Sequence, residues 1–60
     1  MVRSIFKRLK LRQRVYDTWY GPGIVLAKTK RRCLIKLLSQ DEAWNYDVAH
    51  IETFIRIGSK

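Results

Sequence analysis

Cysteine, histidine, proline and methionine each occur once in this 60-residue chain, and glycine only three times. Each scarcity removes something. Cys33 has no second cysteine to pair with, so no disulfide forms within the chain. Cys33 and His50 together cannot supply the four ligands of a Cys/His zinc site, so neither a metal nor a cofactor is expected. No stretch approaches the about 18 apolar residues that a membrane helix needs. The opening Met-Val-Arg-Ser-Ile-Phe-Lys is basic but lacks the apolar centre of a secretion signal. A lone thiol suits a reducing compartment, and a cytoplasmic location is the expectation.

Catalytic chemistry is scarce in the same way. An active site needs converging acids, bases or nucleophiles. His50 is the single histidine. Cys33 sits in an apolar alternating run and reads as a small buried hydrophobe. Asp17 is an isolated acid among aromatics, suited to pair with Arg14 or to hydrogen-bond in a turn. Gly21-Pro22-Gly23 reads as a turn, and no glycine-rich loop with a lysine is present to cradle phosphates. The expectation is a protein that is not an enzyme.

Positive charge is abundant. The formal net charge is +8, at the upper end of the roughly 2 to 8 in magnitude usual for a small soluble domain. Arg3, Lys7, Arg8, Lys10, Arg12 and Arg14 fall in the first fourteen positions with no acid between them. Lys28, Lys30, Arg31, Arg32 and Lys36 form a second acid-free block. Asp41, Glu42, Asp47 and Glu52 crowd the stretch 41–52. Such segregation gives a surface two electrical faces.

A chain this short makes one domain and buries only roughly 60% of its unfolded surface. Ordering costs about 1.5 kcal/mol per residue. Without disulfide or metal, the fold must rest on an apolar core, a homo-oligomer or a partner. The apolar content of 47% is ordinary for a globular domain.

Two readings of residues 1–12 stand side by side. Val2, Ile5, Phe6 and Leu9 recur at i, i+3, i+4 and i+7, the stripe of a short amphipathic helix. Alternatively, Leu9, Leu11, Gln13 and Val15 share one strand parity, and the chain is extended by Leu9. From Arg14 onward the signals are β. Val15-Tyr16 and Thr18-Trp19-Tyr20 lead to a break at Gly21-Pro22-Gly23. Ile24 to Thr29 forms the next strand, and a tight turn falls within Lys28-Thr29-Lys30-Arg31. Arg32 to Leu38 alternates, with Cys33, Ile35 and Leu37 toward the core and Leu34, Lys36 and Leu38 outward. The outward leucines fit a strongly curved sheet or a dimer contact. Ser39 to Glu42 is a polar turn, and Ala43 to Asp47 a strand. Val48 to Ile51 reads as one turn of 3₁₀ helix, and Glu52 to Ile57 as the last strand. The sum is an all-β, small five-stranded SH3-like barrel (residues 13–58), with residues 1–12 as a basic N-terminal arm or short helix. Closure would protect the edge strands.

The chain resembles small SH3-like barrels of the Tudor, KOW and CarD-like kind over about residues 14–57. The likeness is carried by Val15-Tyr16-Asp17 leading into Gly21-Pro22-Gly23-Ile24-Val25, by the hairpin around Lys30, and by Trp44-Asn45-Tyr46-Asp47-Val48 running into Ile51-Glu52. The resemblance implies a binding module. Such barrels serve DNA, RNA, RNA polymerase, methylated tails and other proteins, so the fold alone does not choose among them.

Charge makes the choice at this level. Lysine and arginine neutralise phosphates and release counterions, so DNA or RNA is the expected partner. The expected contacts are Lys7, Arg8, Arg12, Arg14, Lys28, Lys30, Arg31, Arg32 and Lys36, with Lys10 in the same arm. Tyr16, Trp19, Tyr20, Trp44 and Tyr46 are candidates for base stacking or for a peptide groove. The alternative is a protein-interaction module that binds a component of the transcription or translation machinery. A membrane role for residues 2–11 is not favoured, because the apolar face is short and no lipidation signal accompanies it.

Overall fold

The computed structural model describes residues 4–58. It is mostly β, a five-stranded antiparallel sheet curled into a half-barrel with a short N-terminal helix. The elements run α1 (Ile5–Arg8), β1 (Arg14–Asp17), β2 (Gly21–Lys28), β3 (Arg32–Leu37), β4 (Trp44–Asp47), α2 (Val48–Phe54) and β5 (Ile55–Ile57). The strand order is β4-β3-β2-β1-β5. β1 to β4 therefore form a meander, and β5 returns to pair with β1. The edges β4 and β5 are not paired with each other in this order. α2 connects them along the chain, so the expected closure by strand pairing is replaced by a helical link.

Alternation places the core. Cys33, Ile35 and Leu37 of β3 are completely buried, as their parity requires, and Val15, Val25, Tyr46, Ile51 and Ile55 meet them. Phe6 and Leu9 complete the same cluster from the N-terminal side. A fully buried side chain of this kind contributes roughly 1.5–3 kcal/mol. Gly23 permits the close approach of β2 to β3. A Cβ there would lie 2.9 Å from the Lys36 carbonyl oxygen and 3.0 Å from a Leu37 methyl.

The helical reading of the N-terminal stripe holds for Ile5–Arg8, while Val2 lies outside the described residues. Ser4 caps α1 through its side chain, accepting the Lys7 N–H. The strand reading from Leu9 fails, because Leu9 is buried while Leu11, of the same parity, is exposed. Between them and β1 the chain turns through Arg12, which adopts φ 66°.

Two other boundaries differ from the sequence reading. Gly21-Pro22-Gly23 belongs to β2, and the turn falls earlier, at Thr18–Tyr20. The cause is Asp17, whose Oδ1 accepts the N–H groups of Trp19 and Tyr20 and closes the loop. Gly21, at φ 91°, takes the left-handed conformation at the loop's exit that glycine adopts without strain. Pro22 accepts the Leu38 N–H through its carbonyl, so its missing N–H faces the same side, at Leu38, just past the last residue of β3. No hydrogen bond of the β1–β2 ladder is lost. Residues 48–54 form one α-helix rather than a 3₁₀ turn followed by a strand. Asp47 caps it by accepting the His50 N–H. Ile51 and Ile55, four residues apart, reach the same core.

Candidate functional site

Two surface regions gather polar and aromatic groups, and they have opposite chemistry. The first is a set of shallow grooves that share walls. One is lined by Arg8, Lys10, Leu11, Arg12, Gln13 and Ile57. It meets a second at Arg8 and Ile57, where Ile5, Arg56 and Gly58 join. Arg12 also walls a third groove with Arg14, Ile24, Val25 and Leu26. Arg14 and Ile24 continue into a fourth with Pro22, Gly23 and Leu38. Arg8, Lys10, Arg12, Arg14 and Arg56 thus border one continuous surface, and no carboxylate lines any of these four grooves.

Local structure explains why these cations project. In β1, Val15 and Asp17 point inward, so Arg14 and Tyr16 point out. In β5, Ile55 is buried and Arg56 exposed. Register sets Tyr16 opposite Arg56 on one side and opposite Pro22 on the other. Arg14 lies opposite Ile24. The approach to β1 is held by the Arg12 N–H donating to the Val25 carbonyl at 2.8 Å and the Val25 N–H donating to the Gln13 carbonyl at 3.0 Å. A left-handed conformation costs a non-glycine residue about 1–2 kcal/mol, and Arg12 carries that strain at the junction of two grooves.

The N-terminal segment that bears Arg8, Lys10 and Arg12 is fastened at two points. Glu52 of α2 accepts the Ser4 hydroxyl and the N–H groups of Ile5 and Phe6. The Ser4 hydrogen bond, then the Phe6 N–H, hold the Glu52 carboxyl below the usual carboxylate range. Lys28 donates to the Leu9 carbonyl at 3.0 Å and to the Lys7 carbonyl at 3.4 Å, with its ammonium 4.9 Å from the Phe6 ring centre.

The expected cations therefore divide. Arg8, Arg12 and Arg14 come together on the grooved surface. Lys28 is half-buried and occupied with main-chain carbonyls. Lys36 is half-buried too, donating to the carbonyls of Leu37 and Gln40. Lys7 is exposed on α1 beside Arg8 and lines none of the four grooves. Lys30 and Arg31 are exposed at the β2–β3 turn, where Thr29 Oγ1 accepts the N–H groups of Arg31 and Arg32. Arg32 is exposed opposite Asp47. Arg56 is the cation that sequence reasoning missed. Its only signal was a charged position between Ile55 and Ile57 in an alternating run.

The second region lies between the Thr18–Tyr20 turn, β4 and α2. A cleft of about 220 Å³ is lined by Tyr20, Trp44, Asn45, Tyr46, Asp47 and His50. The Tyr20 and Trp44 rings meet edge to face, with centres 4.9 Å apart, and Tyr46 meets His50 at 5.1 Å. His50 continues to Phe54, and Phe54 to Trp19. Asp17 anchors this array from below. It is 1% exposed, and its Oδ2 accepts the Tyr46 hydroxyl at 2.7 Å while Oδ1 holds the turn that carries Trp19 and Tyr20. Burial, with the hydrogen bond to Asp17, pushes the Tyr46 phenol up, which keeps it protonated as a donor. Of the five expected aromatics, Tyr20, Trp44 and Tyr46 converge in the cleft. Tyr16 lies among the arginines instead, and Trp19 is 74% exposed at the turn.

Among the described residues, no group of three or more His, Cys, Asp or Glu side chains lies together in a way that could hold a metal ion, and no helix is long and apolar enough to cross a membrane. Cys33 is buried, and that burial raises its thiol pKa against the lowering effect of Lys28. No protein-family model matches the chain, and neither a curated protein nor a solved structure matches it.

Proposed function

We propose that this chain is a non-catalytic nucleic-acid-binding protein whose linked arginine grooves contact the phosphate backbone. The observation that supports this reading is the continuous border of Arg8, Lys10, Arg12, Arg14 and Arg56 with no carboxylate among the lining residues. Arginine suits the role because its planar fork matches phosphate oxygens bidentately. Arg14 and Arg56 stand on the paired strands β1 and β5, so the backbone that carries these two needs no ordering on contact. In the same proposal the meander, with β5 returning to β1, is the strand arrangement of an SH3-like barrel acting as a small regulatory or structural factor in the cytoplasm.

The test is a salt titration of binding to duplex DNA, single-stranded DNA and RNA. Phosphate contacts make the logarithm of affinity fall linearly with the logarithm of salt, by about 0.7 to 0.9 per neutralised phosphate. Affinity that holds steady as salt rises removes the reading.

A second reading, protein docking, is supported by the aromatic cleft. Rings beside the Asp47 carboxyl offer a surface for a cationic or amide-bearing side chain of a polypeptide. A pull-down at high salt with nuclease present separates the two. Retention of one protein under those conditions, with weak nucleic-acid binding, favours docking.

A further inference from the structure

Each of the four arginine grooves is also apolar. Leu11 stands with Arg8, Lys10 and Arg12, and is 62% exposed. Leu26 and Ile24 stand with Arg12 and Arg14, and Leu38, 66% exposed, with Arg14 and Pro22. Tyr16 is 52% exposed on the strand that carries Arg14, and lies directly opposite Arg56. Its partner on the other side is Pro22, and Arg14 stands two residues back on the same outward parity of β1.

A duplex presents phosphates and sugars to such a face and keeps its base faces stacked inside. It offers no free base face to the tyrosine ring, and only sugar edges and thymine methyls to the exposed leucines. An unpaired strand offers both chemistries at once, phosphates for the arginines and flat apolar bases for the ring and the leucines. An anionic membrane would also satisfy arginines mixed with leucines. However, the apolar residues here are spread from the turn at Leu11 across β2 to Leu38, and are not gathered on one helix face.

Building on the phosphate-binding reading, we infer that the occupant of this surface is a single-stranded nucleic acid, with one base stacked on Tyr16 between Arg14 and Arg56. The phosphates follow the arginine borders of the grooves, and neighbouring bases rest on Leu11, Ile24 and Leu38. DNA and RNA share this chemistry.

The experiment uses the full chain. A labelled oligothymidylate and a labelled oligouridylate of about a dozen nucleotides are titrated alongside the thymidylate annealed to its complement, and alongside vesicles of phosphatidylcholine and phosphatidylglycerol. Either single strand should bind roughly tenfold or more tightly than the duplex. Tyr16→Leu should weaken single-strand binding roughly five- to a hundredfold and leave duplex binding unchanged, and Tyr16→Phe should restore it. NMR supplies an independent readout in the unmodified protein, where the Tyr16 ring protons should move upfield as a base covers them. Three outcomes overturn the inference: duplex binding as tight as single-strand binding, vesicle binding in place of oligonucleotide binding, or Tyr16→Leu and Tyr16→Phe alike without effect. If Tyr16→Leu is silent while Arg14→Glu with Arg56→Glu abolishes binding, stacking falls and the phosphate reading stands. If both are silent, the phosphate reading falls as well.

Discussion

The arginine grooves and the aromatic cleft differ in how they are tied to the core. Arg14, Tyr16 and Arg56 stand on the outward parity of β1 and β5, and the sheet beneath them is held by Val15, Ile35, Leu37 and Ile55. Their side chains can be exchanged without opening the interior. The cleft has no such separation. Tyr46 is both its wall and a core residue, and the turn that carries Tyr20 exists because a buried carboxyl group holds it. Recognition chemistry on the first surface is therefore free to vary, whereas on the second it is coupled to stability.

Asp17→Ala should break this comparison most severely. It leaves the Tyr46 hydroxyl and two backbone N–H groups without their acceptor. Losing a charged acceptor to several donors in a buried site costs about 3 kcal/mol or more, a large share of what a domain this small possesses. Urea denaturation should show that loss, with Asp17→Asn losing less because its carbonyl oxygen can still accept from the turn. Equal stability of Asp17→Ala and the parent protein would mean that the cleft is as independent of the core as the grooves.

The reciprocal change is Arg14→Glu with Arg56→Glu. Both residues are exposed, and the unfolding free energy from urea denaturation should change by no more than about 0.5 kcal/mol. Affinity for nucleic acid should fall by roughly tenfold or more, and the salt slope should lose roughly 1 to 2 of its magnitude. Lys30→Glu with Arg31→Glu is the informative control, since it makes the same change of net charge at a turn that lines none of the four grooves. Its effect should be only a few-fold. An equal effect at the two places would show that bulk charge, and not the arrangement of grooves, governs binding.

A finer separation is available at Arg12. Its φ of 66° costs about 1–2 kcal/mol for a non-glycine residue. Glycine relieves that strain but adds freedom to the unfolded chain worth roughly 0.5–1 kcal/mol. Arg12→Gly should therefore be neutral or slightly stabilising in thermal unfolding while weakening nucleic-acid binding by about threefold. A clear loss of stability would show that the Arg12 side chain works for the fold and not for the groove.

These predictions rest on residues that differ in how readable they were. The burial of Cys33, Ile35 and Leu37 followed from period-two alternation, because a strand with one covered face allows no other reading. Helix α1 was one of two readings that the apolar stripe of residues 1–12 left open, and it covers only Ile5–Arg8. The opening turn was misplaced because glycine and proline mark turns by backbone preference, whereas this turn is closed by a side chain, that of Asp17. Helix α2 was partly hidden because Thr53, Ile55 and Ile57 share one strand parity with the charged Glu52 and Arg56 on the other, while Val48, Ile51 and Ile55 also keep helical spacing. The cationic surface was half legible. Arg8, Arg12 and Arg14 are neighbours along the chain, but Arg56 joins them only through the return of β5 to β1. Lys28 and Lys36 belonged to a visible charge run, yet each is held by main-chain carbonyls that no charge count reveals.

The smallest expected effect concerns how the grooves are assembled. Glu52 holds the start of α1, and the segment that follows α1 supplies Lys10 and Arg12 to the grooved surface. Its carboxyl is lowered below the ordinary value, with the Ser4 hydrogen bond as the leading cause. A group lowered on folding stabilises the folded state fully above its unfolded pKa, near 4.3 for glutamate. That stabilisation is lost as pH falls through the lower folded value. At neutral pH the fastening is complete, and mild acid down to about pH 5 should leave it intact. Below about pH 4 the Ile5 and Phe6 amide resonances should move with the Glu52 carboxyl, and their hydrogen exchange should accelerate. Glu52→Gln keeps an acceptor oxygen but removes the charge, so its α1 amides should lose that titration and be held less firmly at neutral pH, the difference from the parent vanishing once Glu52 is protonated. Amides of Ile5 and Phe6 that ignore the Glu52 titration would mean that Lys28 and the buried Phe6 alone hold the segment. The arginine surface would then be tied to the core through Phe6 and not to α2 through Glu52.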